Sequence, residues 1–358
     1  MKTKQILTIA LVSLLAIMPF TTTQAEEYFE RYGLKPASPS IDLGIQPLAS
    51  PAAVVASTMR HDRLLKRALT ESKLDIKTHA FMRGADMLPL LADQRLEGGV
   101  FGDMPTILSS SHGKVWIAGL LEQASTGVVA RGDTGIQDLL GKRVGYVPAS
   151  TAYNTLLQSL SSAGLNENQL TLVSMRIDEM PDALERGAID AFAGWDPATT
   201  IALRNNPGNR VISRSLSMDF FVLEREFVKR SPEAAHHVVA SLVRAIEWLR
   251  RSQRNLDKAI RWAMADASAF SGKPESLSVT EIATITRRDL LNIPSAPAIV
   301  FSPKQPPLKR EFDFLVKQGK LPATAKWEEI ENSFRYDGIA KVLAESRKYQ
   351  TNSFDYED

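Results

Sequence analysis

Four short stretches of the sequence hold side chains of the kind that seat a small polar molecule. Gln46 precedes Pro47. Gly102-Asp103 precedes Met104-Pro105. Ser150-Thr151-Ala152-Tyr153 follows Ala149, and Trp195-Asp196 precedes Pro197. Ser150 and Thr151 open a predicted helix. A helix start presents free N–H groups and about half a positive charge, and small hydroxyls there add donors without blocking approach. That combination holds sulfonate, phosphate, nitrate or carboxylate without an arginine. The same two residues are also ordinary helix caps. Trp195 can wall a pocket, and Asp196 can accept a hydrogen bond or face an amine. The bland alternative is a core Trp and an Asp that caps the next helix. Asp103 carries the same ambiguity, and Gln46 is either a cleft amide or a solvated strand end.

Other chemistries find less support. Gly135 and Gly141-Lys142 vaguely suggest a phosphate-binding loop, but the spacing is one residue too long and Arg143 stands where Ser or Thr is needed. Of His61, His79, His112, His236 and His237, the adjacent pair diverges by about 100° on a helix and cannot chelate from one face. No metal site or cofactor is expected. The chain has no cysteine, which removes thiol nucleophiles, disulfides, zinc fingers, iron–sulfur sites and a lipid-anchored N-terminus. No local motif yields a Ser–His–Asp arrangement, so an enzyme is not expected. Arg244, Arg250, Arg251 and Arg254 are read as a solvated helix face, with a partner surface as the alternative.

The elements that must position these residues alternate between strand and helix. Strands are predicted over 41–46, 74–81, 98–102, 115–120, 125–130, 143–147, 170–175, 188–193, 211–213 and 220–223. Helices fall between them, and longer helices follow over 231–251, 256–267, 278–290, 308–318 and 325–347. This alternation predicts an α/β fold with a mainly parallel sheet covered on both faces. Ligands in such sheets bind at the carboxyl ends of strands, which is where the four stretches lie. The chain of 358 residues suggests two lobes. The expected organisation is a signal peptide over 1–25, an extended lead-in over 26–40 and the first part of lobe 1 over 41–128. Lobe 2 spans 129–217, lobe 1 resumes over 218–300, and a helical C-terminal extension over 301–358 packs on lobe 1. Two crossing strands form a hinge.

Lys2 and Lys4, an apolar run from Ile6 to Phe20 and Thr23-Gln24-Ala25 make the pattern of a cleaved secretory signal. The apolar run is shorter than the ~20 residues of a spanning helix. A periplasmic location is therefore expected. Without Lys2 and Lys4, 41 basic residues face 41 acidic ones. Bulk charge favours neither nucleic acid nor an anionic membrane.

Several stretches together resemble the nitrate/sulfonate/taurine type of periplasmic solute-binding proteins. They are LGIQP at 43–47, FGDMP at 101–105, DLLGKRVGYVPASTAYNTLL at 138–157, LERGAIDAFAGWDPAT at 184–199 and MDFFVLEREFVKRSPE at 218–233. The resemblance implies a two-lobed periplasmic-binding-protein type II fold that serves an ABC transporter permease. The ligand would be a small polar organic solute, sulfonate- or taurine-like or heterocyclic, held by a monomer. It assigns Gln46, Gly102, Asp103, Ser150, Thr151, Ala152, Tyr153, Trp195 and Asp196 to the interlobe cleft. Tyr153 stands where sulfonate-binding relatives often have His. Asp219, at the second crossing, faces ligand or hinge. A sensor subunit that presents its solute to a membrane receptor is the alternative; enzymes on this fold that use cysteine are not matched by a chain that has none.

Overall fold

The computed structural model of the chain describes residues 32–36, 38–300, 302 and 304–357. The expected signal peptide and residues 26–31 and 37 of the lead-in lie outside the described residues. Among the described residues, no helix is long and apolar enough to cross a membrane.

One eight-stranded sheet runs through the molecule, in the order β2-β1-β3-β8-β4-β7-β5-β6. The strands are β1 (Ser40–Ile45), β2 (Asp75–Ala80), β3 (Gly98–Gly102), β4 (Val115–Arg131), β5 (Arg143–Tyr146), β6 (Thr171–Ser174), β7 (Ala191–Gly194) and β8 (Asn209–Glu224). β2, β1 and β3 are parallel, as are β6, β5 and β7. The two parallel groups are joined through β4 and β8, which pair antiparallel along almost their whole length.

Sequence reading cut each of these two strands in half. It took 115–120 and 125–130 as separate strands, and likewise 211–213 and 220–223. In fact β4 is a single strand of 17 residues and β8 one of 16. The misreading has a physical cause. Each strand is apolar and buried at the end that enters a core, but polar in its middle, where Glu122, Gln123, Ser125 and Thr126 on β4 meet Ser215, Ser217 and Asp219 on β8. An apolar–polar–apolar run reads as two strands and a turn. The polar middle is instead the stretch of both strands that passes between the two lobes.

Other elements follow local chemistry. The helical segment expected between the strands at 41–46 and 74–81 is two helices, Ala52–Arg60 and Arg63–Glu71. Asp62 breaks it, because its Oδ1 accepts from the amides of Leu64 and Leu65 at 2.9 and 3.2 Å and starts the second helix. Asp62 Oδ2 also accepts from Nε and Nη2 of Arg244 at 2.9 and 2.7 Å and from Ser241 Oγ at 2.8 Å. Arg244 is therefore no part of a solvated stripe: it is 1% exposed, and its Nη1 donates to the Tyr349 carbonyl at 2.7 Å. Arg251 and Arg254 are exposed.

The segment expected to be one helix over 325–347 is three short helices, Trp327–Glu331, Tyr336–Ala344 and Ser346–Tyr349. Between the first two, the chain joins the sheet. Ile117, at a bulge of β4, donates to the Ser333 carbonyl at 2.7 Å and accepts from Arg335 N–H at 3.0 Å. Phe312, Leu315, Leu321, Ile330 and Phe334 share a core with Phe101, Ile107 and Phe220. Further on, Arg63 N–H donates to the Asp355 carbonyl at 2.9 Å, Glu357 N–H donates to the His61 carbonyl at 3.2 Å, and the Tyr356 ring lies 4.3 Å from that of Trp248.

Candidate functional site

A cleft lies where the polar middles of β4 and β8 pass between the two parallel groups. Its wall is built from both. Gln46 follows β1, Gly102 ends β3, Ser150 and Thr151 follow β5, and Trp195 and Asp196 follow β7. All four stretches singled out from the sequence thus contribute to one cavity, as carboxyl ends of parallel strands should. Asp219 lines it as well.

The individual side chains differ in what they have left to offer. Gln46 spends its amide nitrogen on the Val100 carbonyl at 2.8 Å. Ser150 is the N-cap of the helix Thr151–Ser162: its Oγ accepts from Tyr153 N–H at 3.1 Å and donates to the Val147 carbonyl at 2.8 Å. Thr151 is different, since its Oγ1 is buried without a hydrogen bond. It sits against Gly102, where a Cβ would collide with it and would crowd Asp219 Oδ1 at 3.2 Å. Gly102 is therefore a spacer: its missing side chain leaves room for the side chains of Thr151 and Asp219. Asp196 acts as a cap and a bridge while lining the cleft. It accepts from Thr199 Oγ1, from Thr200 Oγ1 at 2.7 Å and from Thr200 N–H at 3.1 Å, and it pairs with Arg288 at 2.8 Å. Burial alone would raise its pKa, but these donors outweigh burial and hold it below the usual carboxylate range.

Three of the expected residues lie off the cleft wall. Asp103 is 2% exposed and accepts from Met218 N–H with both oxygens at 3.1 Å, which ties the end of β3 to β8. Ala152 is wholly buried in the core beside β4 and β7. Tyr153 turns to the C-terminal extension, where its hydroxyl donates to Glu167 and accepts from Lys320 Nζ at 2.8 Å. Lys320 also pairs with Glu167 at 2.6 Å. At 100° per residue, a helix that turns Thr151 to the cleft turns the next two residues away from it.

Sequence reading missed Arg83, Glu122, Ser217 and Asp289, which also line the cleft. Glu122 lay in the assumed gap between two strands. A bulge between Leu120 and Glu122 sets it directly opposite Asp219. Its one sequence signal is a carboxylate inside LLEQAST, an otherwise uncharged run. Asp289 sits in a π-helical turn, Arg287–Leu291, that was read as ordinary helix. Such turns often mark functional sites.

Among the described residues, the charged groups of this wall are the carboxylates Glu122, Asp196, Asp219 and Asp289 and the cation Arg83. Burial pushes Asp219 up to about 7. Burial, then the charges of Asp219, Asp289 and Asp196, push Glu122 well above the ordinary value.

Across the cleft the halves touch through specific bonds. Trp195 Nε1 donates to the Leu48 carbonyl at 3.0 Å, and Ser50 N–H to the Asp196 carbonyl at 3.0 Å. Arg83 Nη1 donates to the Pro148 carbonyl at 2.9 Å. Gly102→Ala should strain this closed arrangement without harming either core, because the new methyl meets Thr151 from the opposite half. Small-angle scattering should show a larger radius of gyration for the variant. An unchanged radius would mean that Gly102 does not gate closure.

Comparison with known proteins places the chain. Residues 71–256 match the family model described as NMT1/THI5 like. The taurine-binding periplasmic protein of Escherichia coli (strain K12) is 24% identical over 274 residues, 71% of this chain and 81% of that one. A second protein of that organism, whose name assigns it to aliphatic sulfonates, is 27% identical over 208 residues; the match spans 55% of this chain and 64% of that protein's length. Among solved structures, the alkanesulfonate-binding protein SsuA from Xanthomonas axonopodis pv. citri, bound to MOPS, superposes with a TM-score of 0.63. It shares 19% identity and is covered over 99% of its length, against 84% of this chain. With its two lobes joined by paired crossing strands, the chain belongs to the NMT1/THI5-like family.

Proposed function

We propose that this chain is the solute-capturing component of an ABC importer. It works in the periplasm as a monomer after removal of residues 1–25, and it delivers a small polar organic solute to a membrane permease. The lobes comprise 41–128 with 218–300, and 129–217, and the extension over 301–358 packs on the first of them. The observation that carries this reading is the cleft itself. Both lobes line it at the carboxyl ends of their strands, and hydrogen bonds join its two rims. The relatives named for taurine and sulfonates support the same role.

Binding in this reading is hinge closure. Solute settles on one lobe, the other closes over it, and closure is favoured only as far as the closed state binds the solute better. Gln46, Gly102, Ser150, Thr151, Trp195, Asp196 and Asp219 are the proposed cleft contacts. Nothing in this scheme converts the solute. The test combines mass spectrometry of the denatured, purified chain with thermal-shift screening against sulfonates, taurine, nitrate, carboxylates, amines and pyrimidines. A solute at 100 times its dissociation constant should stabilise the fold by about 2.7 kcal/mol. A carried molecule or a clear rise in Tm is the expected result. A chain that carries nothing and responds to no solute would remove the transport reading.

A further inference from the structure

The reading of the cleft as a solute site leaves its charge to be explained. Arg288 serves Asp196 and Asp289 together. Arg83 directs Nε to Asp86 at 2.7 Å and Nη1 to a carbonyl. These cations are spent. Glu122 and Asp219 remain, directly opposite one another on β4 and β8, and neither has an ion-pair partner among the described residues. Glu122 is 6% exposed and accepts one hydrogen bond, from Ala52 N–H to Oε2 at 2.9 Å. Asp219 accepts none among the described residues.

Like charges directly opposite on paired strands are destabilising, and buried carboxylates without a partner are more so. The bulge between Leu120 and Glu122 nevertheless brings this pair into register. Beside it stands the buried Thr151 Oγ1, which lacks a partner of its own. The unmet groups converge on one point of the cleft floor, above Gly102. An anion brought there meets two carboxylates. A cation meets two charges that nothing else neutralises, with a hydroxyl to complete its shell.

We propose that the cleft selects solutes carrying a protonated or quaternary nitrogen, seated between Glu122 and Asp219. The chemical class is small organic ammonium, guanidinium or protonated heterocyclic compounds. An acidic group, where the solute has one, lies at the end of the solute directed away from the two carboxylates. Burial raises the pKa of both carboxylates, as it must while no cation is present, and a bound nitrogen cation reverses that.

The test uses the chain unfolded, washed and refolded to remove carried solutes. Choline, 1,4-diaminobutane, agmatine and 2-aminoethanesulfonate are compared with ethanesulfonate, 2-hydroxyethanesulfonate and nitrate by thermal shift and calorimetry at neutral pH. At least one nitrogen cation should raise Tm where the sulfonate or hydroxyl counterparts do not. Asp219→Asn and Glu122→Gln should each weaken that binding at least about tenfold, since each removes one of the two charges that face the solute nitrogen. Both substitutions conserve shape, and far-ultraviolet circular dichroism checks the fold. The proposal is overturned if 2-hydroxyethanesulfonate or nitrate binds as well as the nitrogen cations. It is overturned if either variant binds the cation as tightly as the parent, or if no nitrogen cation binds and the molecule carried by the native chain has no basic nitrogen. In the first of these cases the transport reading survives, because a solute still occupies the cleft. Only a chain that binds and carries nothing would take both away.

Discussion

Asp62→Ala should cost about 3–5 kcal/mol of folding free energy, the loss typical when one partner of a buried ion pair is removed. Asp62 and Arg244 are both about 1% exposed. The substitution strands the Arg244 guanidinium in the first lobe's core, with only the Tyr349 carbonyl still accepting from it. It also removes the acceptor that starts the helix Arg63–Glu71 and the partner of Ser241. Urea denaturation should show a lower midpoint with an unchanged slope. Replacing both partners, as in Asp62→Ala with Arg244→Met, should cost less than Asp62→Ala alone, because the orphaned charge is gone. A single-variant cost under about 1 kcal/mol would mean that water or a shift of the helix Pro232–Arg251 rescues Arg244.

The second large effect is on the pH dependence of the solute-free protein. An unperturbed Asp titrates near 3.9, and Asp219 titrates at about 7 in the fold. Between those values the folded chain holds a proton that the unfolded chain has released. Stability therefore falls as pH rises from about 4 to about 7, and stays low above that. The groups around Asp219 add to the penalty: Glu122 faces it on β4, and Asp103 lies beyond Met218. Asp219→Asn removes the titration and keeps the shape. The variant should match the parent at about pH 3, below both titrations, and exceed it at pH 8 by on the order of 2 kcal/mol, because water in the cleft screens part of the ~4 kcal/mol that the full effect would give. Urea midpoints at the two pH values measure it. Equal stability at pH 8 would show that the fold carries no penalty at Asp219.

Such a penalty is what a binding site looks like before it binds. Stability is given up at one point of the cleft floor while the surrounding cores are apolar and closely packed. It also explains what the sequence could and could not reveal. Strand ends were readable, because Gln46, Gly102, Ser150 and Trp195-Asp196 each follow a short apolar run and precede a helix or a Pro. Ser150 was readable as a cap, and a cap it is. Glu122 was not readable, because its meaning depends on a bulge and on a partner 97 positions away in the chain, numbered from Glu122 to Asp219. Arg244 was misread for a related reason. Its neighbours Arg250, Arg251 and Arg254 suggest a wet face, and only the long-range Asp62 makes burial tolerable. Tyr153 and Asp103 failed in another way: adjacency to a cleft residue was taken as membership, while helix geometry points successive side chains in different directions.

The stitching of residues 333–335 to Ile117, and of 355–357 to residues 61–63, bears on the order in which this chain can be assembled. Domains generally fold as units, the earlier-made ones first. Here the lobe that starts at β1 is not finished by the segment that starts it. Its sheet receives its final backbone partner from 217 positions downstream, Ile117 to Phe334, and its first helices their flanking bonds from 294 positions downstream, Asp62 to Tyr356. A chain still being made, with residues 333–357 not yet available, has lobe 2 whole and lobe 1 open. The proposed periplasmic role would have the chain cross a membrane unfolded, and this ordering suits that passage: the larger core cannot close until its last segment is available.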